Sequence, residues 1–295
     1  MIVVVASGKG GTGKTTVATS LALVQGDRAQ ILDCDVEEPN CHILLRPTIL
    51  TTDMVNLPVP SVDLEKCSLC GKCGEICQFS AIVPIGKTVI AFPELCHGCG
   101  ACSMFCPEGA IREVPRNLGV VETGMAGTVE FVQGRIRIGE AMAPPLIRAV
   151  KSRISNDKLA ILDAPPGASC PVITTVKGSD FVIMVTEPTP FGLNDLEIAV
   201  EAIKGLGIPM GIVINRSDVG DSAVRDFCRN KDLPLLMEVP HHRKIAEGYA
   251  KGAPLIESMP EYADKFRKLT DDISMIIGIP SKGSSLETNE GSNSN

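Results

Sequence analysis

Residues 2–15 have the sequence "IVVVASGKGGTGKT", in which an apolar run leads directly into a glycine-rich segment. The β-branched run "IVVVAS" is typical of a parallel strand that is buried on both faces. Gly8–Thr15 matches the pattern G-x-x-x-x-G-K-[ST], and a helix is predicted from Lys14 to Gln25. A strand, a glycine loop and a helix in this order indicate a phosphate-binding loop, because backbone N–H groups and a helix N-terminus then face phosphate oxygens.

The loop residues have distinct predicted roles in binding ATP and Mg²⁺. Lys14 is expected to reach the β- and γ-phosphates, and the Thr15 hydroxyl is expected to ligate Mg²⁺. The glycines allow backbone N–H groups to curl around the phosphates. The predicted contacts are Gly8, Lys9, Gly10, Gly11, Thr12, Gly13, Lys14, Thr15 and Thr16.

Strand and helix patterns alternate through most of the remaining chain. Helices are predicted at Leu193–Leu206, Ala223–Asn230 and Pro260–Ile277. The alternation predicts an α/β fold with a doubly wound, mostly parallel sheet. The predicted strands, besides the first, are residues 29–35, 158–167, 180–188, 210–216 and 233–240.

Eight of the twelve cysteines lie in two runs of the same design, "CSLCGKCGEIC" at Cys67–Cys77 and "CHGCGACSMFC" at Cys96–Cys106. Every cysteine of the first run recurs 29 positions later, which indicates an internal duplication and an inserted module. The spacing C-x₂-C-x₂-C-x₃-C is typical of bacterial ferredoxins with two 4Fe–4S clusters, in which the fourth cysteine binds the other cluster. The predicted ligands are Cys67, Cys70, Cys73 and Cys106 for cluster 1, and Cys96, Cys99, Cys102 and Cys77 for cluster 2.

Zinc is the competing interpretation of these cysteines, since tetrahedral thiolate sites also use C-x₂-C pairs. Zinc sites need neither the closely spaced third cysteine nor the exchanged fourth, so iron–sulfur clusters are favoured. One departure from the pattern is Gln78, which follows Cys77 where proline is expected. His97 is interpreted as a neighbour that tunes hydrogen bonding and not as a ligand.

Composition narrows the classes of function. Hydrophobic residues make up 44% and charged residues 21% of the 295 residues, as in a globular protein with a core. The net charge of −7 without a basic cluster disfavours a nucleic-acid partner. No apolar run approaches the ~18 residues of a membrane span, and the N-terminus lacks the basic region of a signal peptide. We therefore predict a cytoplasmic protein without a membrane anchor, whose clustered cysteines bind metal.

Lys9 adds a second lysine to the phosphate loop. This arrangement resembles the deviant Walker A motif of the MinD, ParA, Mrp and nitrogenase iron protein class. In that class the signature lysine crosses a dimer interface to the nucleotide of the partner. The resemblance implies an ATP-dependent homodimer that sandwiches its nucleotides.

Further segments resemble the same class, in the same order along the chain. "DCDVEEPN" (33–40) is similar to switch I, which implies that Asp35 orients or activates the attacking water. "ILDAPPG" (161–167) is similar to Walker B running into switch II, which implies that Asp163 holds Mg²⁺ through water. "INR" (214–216) resembles the adenine-contacting segment, with Asn215 reading the base and Arg216 beside it. "VPHHRKIAEGYAKG" (239–252) resembles a later loop on the nucleotide side. The predicted catalytic residues are Lys9, Lys14, Asp35 and Asp163.

The whole chain resembles MinD-superfamily ATPases that carry an inserted ferredoxin domain. Residues 1–60 and 116–278 are predicted to form the ATPase domain, and residues 61–115 the ferredoxin-like domain. Residues 279–295 are predicted to be a disordered polar tail.

Four cysteines lie outside the two runs. Cys34, Cys41 and Cys228 are interpreted as small buried hydrophobic residues. Cys170 lies seven residues after Asp163, where the nitrogenase iron protein has a switch II cysteine that binds a cluster bridging its dimer. That protein uses two such cysteines, and none lies between Cys106 and Asp163 here. A buried switch residue is therefore favoured for Cys170, with a bridging ligand as the alternative.

Three functions are consistent with these motifs. The favoured one is an ATP-gated electron carrier with an unidentified redox partner. The second is an iron–sulfur assembly carrier of the Mrp type, although the C-x-x-C of such carriers is missing because only Cys228 follows Cys170. The third is a spatial organiser like MinD or ParA, which the polar tail and the acidic charge disfavour.

Overall fold

A computed structural model of the protein describes residues 1–278. The predicted tail lies outside the described residues. The strands are β1 (Ile2–Ala6), β2 (Ala29–Asp33), β3 (Thr48–Val62), β4 (Ile82–Ile85), β5 (Thr88–Ala91), β6 (Ile111–Ala126), β7 (Val129–Ile136), β8 (Leu159–Asp163), β9 (Phe181–Thr186), β10 (Met210–Asn215) and β11 (Leu235–Val239).

Helices follow most of the strands, and two short 3₁₀ turns lie at Gly26–Arg28 and Pro93–Leu95. Within the described residues no helix has the length and apolar character to cross a membrane. The helices are α1 (Lys14–Gln25), α2 (Cys41–Leu45), α3 (Lys72–Ile76), α4 (Ala101–Met104), α5 (Ala143–Lys151), α6 (Cys170–Val176), α7 (Pro190–Lys204), α8 (Ala223–Asn230), α9 (Arg243–Ala250), α10 (Leu255–Ser258) and α11 (Tyr262–Ile276).

One large sheet has the strand order β11-β10-β9-β1-β8-β2-β7-β6-β3. The strands from β11 to β7 pair in parallel, and β6 and β3 add antiparallel pairs at one edge. The prediction of a mostly parallel α/β sheet is confirmed. Because β1 is central, its β-branched side chains are buried on both faces, as the sequence indicates.

Helices cover both faces of the sheet and form two hydrophobic cores. Val4 of β1 faces one core, and Val3 and Val5 face the other, as the two-residue period of a strand requires. The Val4 core includes α5, α6, α7 and α8, and the other core includes α1 and α11. The carboxyl ends of β1, β2, β8 and β10 thereby meet at one edge of the sheet.

Strands β3 and β6 form a long antiparallel ribbon that the sequence did not reveal. The side chains from Thr48 to Met54 are exposed, so β3 lacks the apolar run by which β1, β2 and β8 to β11 were recognised. Pro58 and Pro60 are tolerated because β3 is an edge strand. The ribbon passes through both predicted domain boundaries, at residues 60/61 and 115/116.

Residues 63–110 lie at the far end of this ribbon and are called the cysteine lobe below. It contains the β4–β5 hairpin and two short helices, α3 and α4. Gly71 and Gly100 precede these helices with φ angles of 81° and 72°, a left-handed conformation that glycine adopts without strain. The two copies of the duplicated sequence therefore share this left-handed turn before their helices.

Candidate functional site

The phosphate loop joins β1 to α1 and leaves no room for a side chain at Gly13. This residue has φ 95°, and a Cβ atom there would lie 2.4 Å from Asn215 Nδ2. Asn215, at the end of β10, donates a hydrogen bond from Nδ2 to the Thr12 carbonyl at 2.8 Å. The glycine thus lets the loop pack directly against the predicted adenine-side segment.

Lys14 brings the ends of three strands together. Its Nζ lies 3.1 Å from Asp35 Oδ2 and 3.5 Å from Asp163 Oδ1. Burial of Lys14 opposes its charged form, but the carboxylates of Asp163 and Asp35 outweigh this effect and raise its pKa. The Thr15 hydroxyl donates to Asp163 Oδ2 at 2.6 Å. The structure therefore brings four of the predicted site residues, Lys14, Thr15, Asp35 and Asp163, into one group.

Asp33 belongs to this group, although the sequence analysis assigned it no role. Its carboxylate accepts backbone N–H groups of Asp35, Asn40 and Cys41 at 3.1, 3.0 and 2.9 Å. Burial and the nearby Asp163 carboxylate raise the pKa of Asp33 to about 7. One sequence feature could have identified Asp33: like Asp163, it ends a buried strand. The two strands are adjacent and parallel, and Asp33 pairs with Asp163.

A magnesium nucleotide fits this arrangement of charges. The carboxylates of Asp35 and Asp163 both contact the single ammonium of Lys14, so acidic groups outnumber the basic one. Asp163 Oδ1 is buried and has no hydrogen-bond donor within residues 1–278. Carboxylate and hydroxyl oxygens are the ligands that Mg²⁺ prefers. Asp163 and Thr15 are the residues that would hold the ion.

A cavity of about 460 Å³ adjoins these residues, within the size range of small-molecule sites. Residues 239–252, which resemble a loop in the sequence, form helix α9 over most of their length, and they contribute part of the wall. The cavity is lined by Gly10, Gly11, Gly13, Lys14, Thr15, Thr16, Asp35, Glu38, Asn40, Pro166, Asn215, Arg216, Pro240, His241, His242, Ile245, Ala246 and Tyr249.

Lys9 lies apart from the Lys14 group. Its Nζ is 4.0 Å from Glu187 Oε2, and Arg216 lies 3.1 Å from the other oxygen of Glu187. Glu187 follows β9 and is buried, and the sequence analysis missed it because it has no motif of its own. The Lys9 side chain is 32% exposed, so part of it is accessible to a second molecule.

The eight clustered cysteines surround two separate cavities in the cysteine lobe. Cys67, Cys70, Cys73 and Cys106 line one, and Cys77, Cys96, Cys99 and Cys102 line the other. All eight are free thiols. Backbone N–H groups of Ala81 and Ala110 donate to the sulfurs of Cys77 and Cys106, both at 3.3 Å. Four thiols per cavity with N–H donors to sulfur fit a metal–sulfur centre.

The remaining cysteines divide by burial. Cys34, Cys41 and Cys228 are buried, as predicted. The prediction that Cys170 is a buried switch residue is wrong, because it is exposed at the first position of α6, after an exposed Ser169. His97 lines the second cysteine cavity and stacks on Phe79 with ring centroids 3.5 Å apart.

Residues 3–255 match the family model described as the CobQ/CobB/MinD/ParA nucleotide binding domain. The chain belongs to this family. Its members are P-loop nucleotide-hydrolysing proteins, and the Lys14 group occupies the matched region.

Solved MinD structures share the fold of this MinD/ParA-type protein. The septum site-determining protein MinD from Pyrococcus horikoshii, complexed with Mg-ADP, has a TM-score of 0.59 at 20% identity, covering 96% of this chain and 99% of that one. The cell division ATPase MinD of Pyrococcus furiosus has a TM-score of 0.55 at 23% identity, covering 93% and 98% of the two chains.

Among the curated relatives, an uncharacterised protein of Methanocaldococcus jannaschii is 29% identical over 94% of this chain and 98% of its own length. The iron–sulfur cluster carrier protein of Aquifex aeolicus is 24% identical over 94% of this chain and 68% of its own length.

The two loop lysines are predicted to have separable roles in this MinD/ParA-type protein. Lys14→Ala removes the ammonium from among three carboxylates, so MgATP affinity is expected to fall more than about 100-fold in calorimetry. Lys9→Ala is the matched variant and is expected to retain binding, since Lys9 contacts Glu187 and not the Lys14 group. The resemblance of Lys9 to the signature lysine predicts that this variant loses ATP hydrolysis and ATP-dependent dimerisation. Hydrolysis by Lys9→Ala at the rate of the unmodified protein would contradict that role.

Proposed function

We propose that this protein is an ATP-hydrolysing homodimer that passes electrons to a partner protein through two 4Fe–4S clusters, under the control of its bound nucleotide. The observation that carries the proposal is the grouping of the eight cysteines. The cavity residues divide into two sets of four, and each set combines three cysteines of one run with the fourth of the other. This exchange is the arrangement of two-cluster ferredoxins, which serve electron transfer.

The first support for nucleotide control is a contact between switch I and the sheet edge that leads to the cysteine lobe. Val36, directly after Asp35, accepts a hydrogen bond from the Ile136 N–H of β7 at 2.9 Å. A Cβ atom at Gly134 of β7 would lie 2.5 Å from Val36 Cγ1, so the two segments are in close contact. Strand β7 pairs with β6, which begins directly after the lobe. A movement of switch I is therefore transmitted to β7 directly.

The second support is the contact between α5 and the switch II helix, α6. Lys151 Nζ, at the end of α5, donates to the carbonyls of Thr174, Thr175 and Lys177 at 2.9, 2.6 and 2.7 Å. These carbonyls lie at or just beyond the C-terminal end of α6, where backbone acceptors lack helical partners. Both switch segments thus contact elements that join the nucleotide site to the base of the lobe. A two-state change at the γ-phosphate has a physical route to the cysteines.

Accessibility of the lobe also favours electron exchange with a partner. Cys70 and Cys99, one in each cavity, are exposed. A partner protein can therefore approach both centres without unfolding of the lobe. The chemical class of that partner is a one-electron donor or acceptor.

An iron–sulfur cluster carrier is the second candidate function. It is favoured by the relative of that name in Aquifex aeolicus and by another in Synechocystis, which is 25% identical over 89% of this chain. Against it, the Mrp-type C-x-x-C does not occur after Cys170 in this sequence, and Cys228 is buried. A spatial-organising function rests on the MinD fold alone.

The metal content tests the identity of the centres. Anaerobically purified protein is expected to contain about eight iron and eight acid-labile sulfide per chain, from two cubanes. Metal analysis and visible absorbance measure this directly. Two zinc ions per chain with a colourless protein would contradict the proposal and favour structural zinc sites.

Retention of the clusters distinguishes an electron carrier from a cluster carrier. Protein labelled with radioactive iron is expected to keep its label during incubation with MgATP and an excess of an apo-ferredoxin, because four thiolates hold each centre. Separation of the two proteins by chromatography measures the transferred iron. Lys14→Ala is the matched control, since it is expected not to bind nucleotide. ATP-dependent loss of label from the unmodified protein, but not from this control, would favour the cluster carrier.

A further inference from the structure

A buried ion pair lies at the base of the cysteine lobe. The Arg116 guanidinium binds Glu140 with two nitrogens, one to each carboxylate oxygen. The two side chains are 10% and 1% exposed. Glu140 also accepts the Met142 N–H at 3.0 Å, one residue before α5 begins. Burying a charged pair costs free energy, so its position next to a functional centre needs an explanation.

The neighbours of Arg116 pack in one apolar cluster with Cys96, a predicted ligand of cluster 2. Side chains two residues apart on a strand lie on one face, so Arg116 shares its face of β6 with Val114 and Leu118. Its cross-strand partner on β3 is Leu57. Val114, Leu118 and Leu57 all belong to the apolar cluster that contains Cys96. Arg116 therefore lies under the loop that carries three of the four predicted ligands of cluster 2.

One donor of this arginine has no acceptor. Arg116 Nε is buried and makes no hydrogen bond within the part of the chain that the structure describes. Buried N–H groups are nearly always paired, and an unpaired one destabilises the fold. A bound cluster would supply the missing acceptors, since both its sulfides and its thiolates accept hydrogen bonds.

We propose that Arg116 is a positioning residue for cluster 2, which donates its Nε–H to a cluster or thiolate sulfur and raises the reduction potential of that cluster. Glu140 fixes the guanidinium and partly offsets its charge. This inference rests on the proposed function, because it requires an iron–sulfur cluster in the Cys77, Cys96, Cys99 and Cys102 cavity.

The pair predicts opposite shifts for its two members. One-electron reduction adds a negative charge to the cluster, which Arg116 stabilises and Glu140 opposes. Arg116→Gln is therefore expected to lower the reduction potential of half of the reducible clusters. Glu140→Gln is expected to raise it. A purely structural pair would instead give cluster loss, or shifts of the same sign, in both variants.

The test is a dithionite titration of the anaerobically purified full chain, followed by EPR. Arg116→Gln is expected to change the equilibrium constant for reduction about tenfold, or roughly 59 mV for a one-electron couple. Arg116→Lys keeps the charge but not the Nε–H, so a smaller shift is expected. Arg148→Gln on α5 removes an exposed arginine and serves as the control for net charge, with no shift expected.

Unchanged potentials in Arg116→Gln, or shifts of one sign in both variants, would overturn the inference. If Arg116→Gln loses cluster 2, the Glu140→Gln variant tests the inference alone. A raised reduction potential in that variant supports the inference, and an unchanged one overturns it. Unchanged potentials in a protein that contains eight iron per chain would leave the proposed function standing. Absence of iron from the unmodified protein would overturn both.

Discussion

The ammonium of Lys14 lies between carboxylates that arrive from two neighbouring strands, and the site is organised around this balance of buried charge. Its Nζ contacts Asp35 on the switch I side and Asp163 on the switch II side. Asp33 adds a third carboxylate, whose pKa is raised to about 7 because burial and Asp163 disfavour its ionised form. The one positive charge of Lys14 faces the two carboxylates that contact it, so the site favours a divalent cation. Any ligand that repositions Lys14 changes the environment of both switch segments together.

Contacts between neighbouring elements connect the Lys14 group to the cysteine lobe. Val36 connects switch I to β7 through a backbone hydrogen bond to Ile136, and Gly134 provides the space for this contact. Lys151 connects α5 to the end of α6. Strand β6, next to β7, begins directly after the cysteine lobe and pairs with β3, which leads into it. The lobe is thus joined to the nucleotide site by hydrogen-bonded strands and not by a flexible linker, which is the physical basis for expecting coupling.

The sequence predicted the elements whose patterns are local. The bounds of α1 and α8 agree with the structure to the residue, because strong loop and helix signals flank them. The two cysteine sets follow from spacing alone. The β3–β6 ribbon was missed because exposed edge residues such as Thr51 and Asp53 carry no apolar period.

Tertiary contacts between segments that are distant along the chain could not be predicted from the sequence. Glu187 can be recognised as a site residue only in the folded protein, where Lys9 and Arg216 contact its two carboxylate oxygens. The same holds for Arg116, whose partner Glu140 lies on a different segment.

The central claim is that nucleotide and cluster states are coupled, and the most direct test is an EPR-monitored redox titration with and without a slowly hydrolysed ATP analogue. Coupling of about 1–3 kcal/mol predicts a shift of roughly 45–130 mV with the analogue, its loss in Asp35→Asn, and an equal change in analogue affinity on reduction. Identical potentials in all of these states would contradict it.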